Sequence, residues 1–213
     1  MKPNTFHKTR FLLVAFFVLL SFEKTEAHIH SYIFTGFNSS KTFSDLKNKE
    51  AFVSEAKSNF NFGGAIRFEF GKYFYLQPEF YFTRKGGLER SLHAAPFDSL
   101  GLKMLSLDMP IITGVRFFDN GEKPIALRLY TGPVISFLQQ RQHSNRVTVF
   151  KDGRLLPYKQ STRVFSLQSG AGIDFWRFTF DVRYEHALSS IISFGNTKTK
   201  YRVIYFTLGL KIF

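Results

Sequence analysis

Phe60-Asn61-Phe62-Gly63-Gly64-Ala65-Ile66-Arg67-Phe68-Glu69-Phe70 reads with a period of two. One face collects Phe60, Phe62, Gly64, Ile66, Phe68 and Phe70, and the other collects Asn61, Gly63, Ala65, Arg67 and Glu69. A helix turns about 100° per residue, so it would send Phe60 and Phe62 to nearly opposite sides, and Phe68 and Phe70 likewise. The stretch is therefore read as a strand. Aromatic and β-branched side chains suit such a pleated surface.

The same alternation recurs on both sides of this stretch. It spans residues 74–84, 104–117, 125–138, 163–175, 178–187 and 202–212, with a weaker strand near 29–37. Within 178–187, for example, Phe178, Phe180, Val182 and Tyr184 oppose Thr179, Asp181, Arg183 and Glu185. The connections alternate too. Residues 38–59, 85–103, 139–162 and 189–200 are long, whereas Gly71-Lys72, Asp119-Asn120-Gly121-Glu122 and Trp176-Arg177 are short. Short turns on one side and long loops on the other mark outer-membrane barrels, and an even strand number returns both termini to the turn side. The expected fold is all-β: an eight-stranded antiparallel up-and-down transmembrane β-barrel with short periplasmic turns and long outer loops.

Composition agrees. The 213 residues include 28 Phe and no Cys, with 29 Lys and Arg against 16 Asp and Glu, a formal net charge of +13. Absence of Cys excludes disulfide scaffolds, thiolate zinc sites and cysteine catalysis. Lys2, Lys8 and Arg10 precede an apolar run from Phe11 to Phe22, and Thr25 and Ala27 close a short polar patch. This describes a secretory signal peptide over residues 1–27, followed by an outer-membrane barrel domain over 28–213. The apolar run is shorter than the roughly 20 residues a spanning helix needs. Export argues against a nucleic-acid partner as the explanation of the positive charge.

The polar face decides which side of the barrel meets lipid. It holds Arg67, Glu69, Glu79, Asp108, Arg128, Gln168, Asp174, Asp181, Arg183 and Glu185, interleaved with Gly63, Gly132, Gly170 and Gly172. Mixed-sign charges and glycines suit a crowded interior, where each charge needs a partner. Phe, Leu, Ile and Val then face lipid. Eight strands leave an interior that side chains fill, so a plugged barrel is expected in place of a diffusion pore. The alternative is a secreted or periplasmic lipocalin-like barrel, whose apolar face would turn inward around a ligand.

Several segments resemble the PorT-like outer-membrane β-barrel family of Bacteroidota. They are Tyr75-Leu76-Gln77-Pro78-Glu79-Phe80-Tyr81-Phe82-Thr83-Arg84-Lys85-Gly86, Leu105-Ser106-Leu107-Asp108-Met109-Pro110, Tyr130-Thr131-Gly132-Pro133, Gln168-Ser169-Gly170-Ala171-Gly172-Ile173-Asp174, Phe180-Asp181-Val182-Arg183-Tyr184 and the closing run to Leu208-Gly209-Leu210-Lys211-Ile212-Phe213. The resemblance implies a link to type IX secretion, the association of the family's named member, while the lack of catalytic groupings makes a non-enzymatic envelope protein the expectation. One departure stands out: Ile212 is in phase with Leu210 and Leu208, and Phe213 is one step out. Either the last strand is bulged or the apolar face is shifted.

Few residues suggest chemistry. No His falls into HExxH or another metal-ligand spacing. His186 beside Glu185 is the single catalytic candidate considered. No catalytic, cofactor or metal residue is assigned. Cleavage after Ala27 would leave His30 third behind a free amine, a nitrogen set suited to Cu(II) or Ni(II). Asn38-Ser39-Ser40 has the form of a glycosylation sequon and is read as a loop start. The long loops are basic: Arg141, Arg146, Lys151, Arg154 and Lys159 face only Asp152, and Lys198, Lys200 and Arg202 have no acid nearby in sequence. Those last three are the expected contacts to lipid phosphates, with membrane lipids and lipopolysaccharide as partners.

Overall fold

The computed structural model describes residues 27–44, 52–91, 99–118, 125–138, 146–151, 154–155, 159–194 and 197–213. The expected signal segment, apart from Ala27, lies outside the described residues, as do the expected turn Asp119–Glu122 and Arg141.

The described residues contain twelve strands, in order β1 (Ala27–Ser44), β2 (Phe52–Phe70), β3 (Phe74–Ser91), β4 (Ser99–Phe117), β5 (Ile125–Leu138), β6 (Arg146–Lys151), β7 (Arg154–Leu155), β8 (Lys159–Gln160), β9 (Arg163–Phe175), β10 (Phe178–Ala187), β11 (Ile192–Phe194) and β12 (Thr197–Lys211). Eight of them, β1 to β5 with β9, β10 and β12, pair antiparallel in sequence order. The β1–β12 ladder, from Tyr32 opposite Lys211 to Ser44 opposite Thr199, closes the sheet into a barrel. Closure removes the unpaired edges that an open sheet exposes. Among the described residues no helix is long and apolar enough to cross a membrane. A closed barrel crosses with strands instead.

Alternation runs through the middle of every barrel strand. Phe62, Phe80, Leu129, Val182 and Phe206 stand exposed on the outside, while Arg67, Glu79, Arg128, Arg183 and Glu185 are buried inside. This is the reverse of a carrier barrel, which wraps its apolar face around a ligand. Pro78 and Pro110 carry no N–H for the ladder. Even so, the β3–β4 register keeps one offset across both, from Pro78 opposite Ile111 to Tyr81 opposite Asp108.

The expected long loops are largely strand. β1 continues to Ser44, β3 to Ser91, and β4 begins at Ser99. β6 lies within the expected 139–162 loop and adds to the free length of β4, from Ser99 opposite Phe150 to Lys103 opposite Arg146. Asn38 is inside β1 instead of opening a loop, and its Nδ2 donates to Thr83 Oγ1 at 2.8 Å.

The two ends of the wall differ. At the turn end, Tyr73, Phe74, Phe117, Phe118, Phe175 and Trp176 are exposed around the short connections. Gly71, Phe118 and Trp176 have φ of 61°, 64° and 55°. Glycine takes that geometry without cost. A bulky aromatic there costs about 1–2 kcal/mol, and at this end each one adds an exposed ring at the depth where aromatic girdles sit. Phe213 lies here too, 74% exposed. β12 carries no bulge against β1 or β10, and Ile204, Phe206 and Leu208 point outward. The assigned apolar face is therefore not shifted, and Phe213 lies past the last residue of the strand.

Candidate functional site

The interior is the chemically distinctive region, and the alternation of eight strands builds it. All ten polar-face residues from Arg67 to Glu185 lie on the inward face. Nine of them form two groups, one toward each end of the barrel, and Gln168 sits between.

Toward the turn end the charges form a continuous chain. Arg67 Nη1 donates to Asp174 Oδ2 at 2.7 Å, and Arg128 Nε donates to the other oxygen, Asp174 Oδ1, at 2.9 Å. Arg128 Nη2 reaches Asp181 Oδ1 at 2.9 Å, an oxygen that also accepts from Tyr130 OH at 2.8 Å. Arg183 pairs with Asp181 at 3.5 Å and donates to Glu79. Gln77 bridges back, accepting from Arg67 Nε and donating to Glu79. Arg116 donates to Glu69, with His30 Nε2 3.6 Å from the same carboxylate and Lys211 Nζ 3.3 Å from His30.

Toward the other end, Lys85 is fully buried. Its Nζ lies 2.9 Å from Asp108 Oδ2, donates to Glu185 Oε1 at 2.8 Å and to Tyr201 OH at 2.9 Å. Glu185 also accepts from Ser166 at 2.6 Å, and from Tyr201 and Tyr205 at 2.7 Å each. Between the groups, Tyr81 meets Phe34 and Tyr205 edge to face, at 5.9 and 5.8 Å between ring centroids. Gln168 donates to Tyr81 OH at 3.0 Å.

Small residues make room for this packing. A Cβ on Gly172 would come within 2.3 Å of Asp181 Oδ1 and 2.6 Å of Arg128 Nη2, and one on Gly170 within 2.7 Å of the Tyr130 ring. The charges balance among the described inward groups: Arg67, Lys85, Arg116, Arg128, Arg183 and Lys211 face Glu69, Glu79, Asp108, Asp174, Asp181 and Glu185. Pairing of opposite charges is what lets a water-poor interior hold them.

Three cations of this set, Lys85, Arg116 and Lys211, were not among the ten polar-face residues read from sequence. Their signal was there: each continues the inward phase of its strand, Lys85 at two-residue steps from Gln77, Glu79, Tyr81 and Thr83. In sequence the consecutive cations Arg84 and Lys85 look like a loop start and hide the continuation of β3.

The two candidates weighed in the sequence lie in the barrel wall. Glu185 points inward and is fully buried, while His186 stands on the other face, its ring stacked on Phe43 at 5.8 Å. Sequence neighbours on a strand face opposite ways, so they form no catalytic pair. His28, Ile29 and His30 pair with Glu69, Phe68 and Arg67 in the β1–β2 ladder. Wrapping their amides around a metal would break that ladder. Lys198 and Arg202 belong to β12 instead of a loop, exposed and directed outward, with Arg202 lying 4.5 Å over the Phe43 ring. Lys200 shares their phase and is half-buried.

A closed barrel with an apolar exterior, an aromatic-ringed end and a paired ionic interior defines an integral outer-membrane β-barrel protein. The chain belongs to the outer membrane protein beta-barrel domain family, whose pattern it matches over residues 23–193. Among solved structures it is similar to the outer membrane protein OprG of Pseudomonas aeruginosa, at 10% identity and a TM-score of 0.51, covering 86% of this chain and 96% of that one. It is also similar to Neisserial surface protein A, at 16% identity and a TM-score of 0.44, covering 85% and 97%. No curated protein matches it.

Proposed function

We propose that this barrel is a non-catalytic component of the outer membrane. It meets lipopolysaccharide phosphates through a basic rim and offers its long hairpins to an envelope partner. An N-terminal signal peptide brings it there, and the hairpins face outward. The observation that carries this reading is the filled interior. Two ionic groups and the aromatic layer between them occupy the lumen, and every inward charge among the described residues except Lys211, whose Nζ meets His30, pairs with an opposite one. A lumen packed in this way supports a scaffold role over a transport role.

The rim supports the lipid contact. Lys41, Arg84, Lys103, Arg163, Lys198 and Arg202 are exposed at the hairpin end of the wall, above the apolar band. The resemblance to PorT-like barrels of Bacteroidota makes a type IX secretion component the proposed partner.

Reconstitution into planar bilayers tests the plugged interior: no stepwise conductance is expected, and discrete openings would overturn it. The triple variant Lys198→Gln/Lys200→Gln/Arg202→Gln should fold and shift on boiling as the parent does, yet copurify with less lipopolysaccharide. Unchanged lipopolysaccharide would remove the rim from the proposal.

A further inference from the structure

Three basic side chains stand in one row across the ladder that closes the barrel. Lys41 on β1 is the register partner of Arg202 on β12, and Arg202 is the register partner of His186 on β10. All three share the outward phase of their strands, the phase of Phe37, Phe206 and Val182. Neighbouring strands lie about 4.8 Å apart, so three adjacent strands bring these side chains within reach of one anion. Phe43, the next outward residue after Lys41, gathers the row. The Arg202 guanidinium lies 4.5 Å over its ring, and the His186 ring stacks on it at 5.8 Å with 15° between the planes. No carboxylate pairs with Lys41, His186 or Arg202 among the described residues.

Below the row the same three strands turn apolar. Ser39, Ile204 and Tyr184 form the next outward row, and Phe37, Phe206 and Val182 the one after it. Four residues of strand put that last row about 13 Å below the basic one. A groove of about 780 Å³ begins there and runs along the outer wall toward the turn end. Phe37, Phe180 and Phe206 line it, and the small outward residues Thr35 and Ala171 give it depth.

We propose that the Lys41–Arg202–His186 row binds a phosphate of lipid A and that the groove beneath it seats one of the acyl chains. The proposal deepens the lipid contact of the basic rim and rests on that outward placement of the hairpins. Charge complementarity selects an anionic amphiphile. A phosphate answers the unpaired cations, with the Arg202 fork and the Lys41 ammonium as charged donors. The apolar lining of the groove selects a ligand with chains over free phosphate. Tyr184 stands exposed between row and groove, where an amphipathic ring suits the boundary of headgroup and chain.

The experiment is native mass spectrometry of the full chain folded in detergent and titrated with purified diphosphoryl lipid A. The parent should retain one tightly held lipid. Lys41→Gln/His186→Gln should weaken it about fivefold or more, the effect of one cation at an anionic surface. Ala171→Phe, which fills the groove, should cost a similar factor. Arg84→Gln/Lys103→Gln, which removes rim cations from β3 and β4, should leave retention unchanged. Boiling-dependent gel mobility checks that each variant folds, and all five side chains face outward. Equal retention by the parent and Lys41→Gln/His186→Gln overturns the row, and equal retention by Ala171→Phe overturns the groove. Equal retention of diphosphoryl and dephosphorylated lipid A overturns the phosphate contact. Displacement by millimolar inorganic phosphate with no lipid preference overturns the lipid assignment. If Arg84→Gln/Lys103→Gln loses as much lipid as Lys41→Gln/His186→Gln, the row falls and the rim stands. If no cation variant changes retention, the triple variant at Lys198, Lys200 and Arg202 included, both fall.

Discussion

Lys85 holds two buried carboxylates with one ammonium group, and nothing else positive lies within ion-pairing distance of Asp108 or Glu185 among the described residues. Lys85→Met should therefore destabilise the barrel by about 3–5 kcal/mol, the usual cost of stranding a buried charge. Urea titration of folding into lipid vesicles would measure it, followed through Trp176, the single tryptophan. Adding Asp108→Asn and Glu185→Gln should recover most of the loss, and failure to recover would mean that Lys85 acts through packing. At this scale the sequence was informative about facing and silent about partners. Phase alone sends Arg128 and Asp174 inward, but it does not say that the Asp174 oxygens divide between Arg67 and Arg128. That choice depends on the stagger of strands far apart in the chain, and stagger leaves no mark on local alternation.

The strands of the apolar band were legible because lipid imposes a strict two-residue rhythm on them. Beyond the band that rhythm fades. Lys57-Ser58-Asn59 is polar on both faces and was read as loop, yet it continues β2, and the bulge there, between the Ala56 and Asn61 pairings with β3, has no local signature. The closing strand shows the same limit at its other end. Phe213 looked out of phase because phase was extended past Lys211, where β12 stops. The chain end is held differently: Arg177 donates to Lys211 O at 3.2 Å and to Ile212 O at 3.0 Å, and Ile212 N bonds Ser31 O at 2.8 Å. Arg177→Ala should cost about 1 kcal/mol or less overall. Its clearer mark should be faster amide exchange at Ile212 and Ser31, with the centre of β12 unchanged.

The whole molecule is a sleeve with two unlike rims, aromatic at the turn end and cationic at the hairpin end. Depth in the sleeve should set the penalty for a misplaced charge. Val182→Arg, midway along β10 and outward, should cost about 2–4 kcal/mol in vesicle refolding, and Phe213→Arg at the aromatic rim about 0–1 kcal/mol. Equal costs at the two positions would contradict the placement of the apolar band.

The seam between β1 and β12 joins the first described strand of the chain to the last. It spans nearly the full sequence, so the contact that completes the sleeve is the last one the chain can make. A half-exported chain has two raw sheet margins and an apolar exterior, with nothing yet able to join them. Such a chain would pair with its neighbours as readily as with itself. Long-range pairing of this kind is also slow. A truncation that removes β12 leaves both margins of the sheet permanently open, and the chain should then aggregate instead of closing.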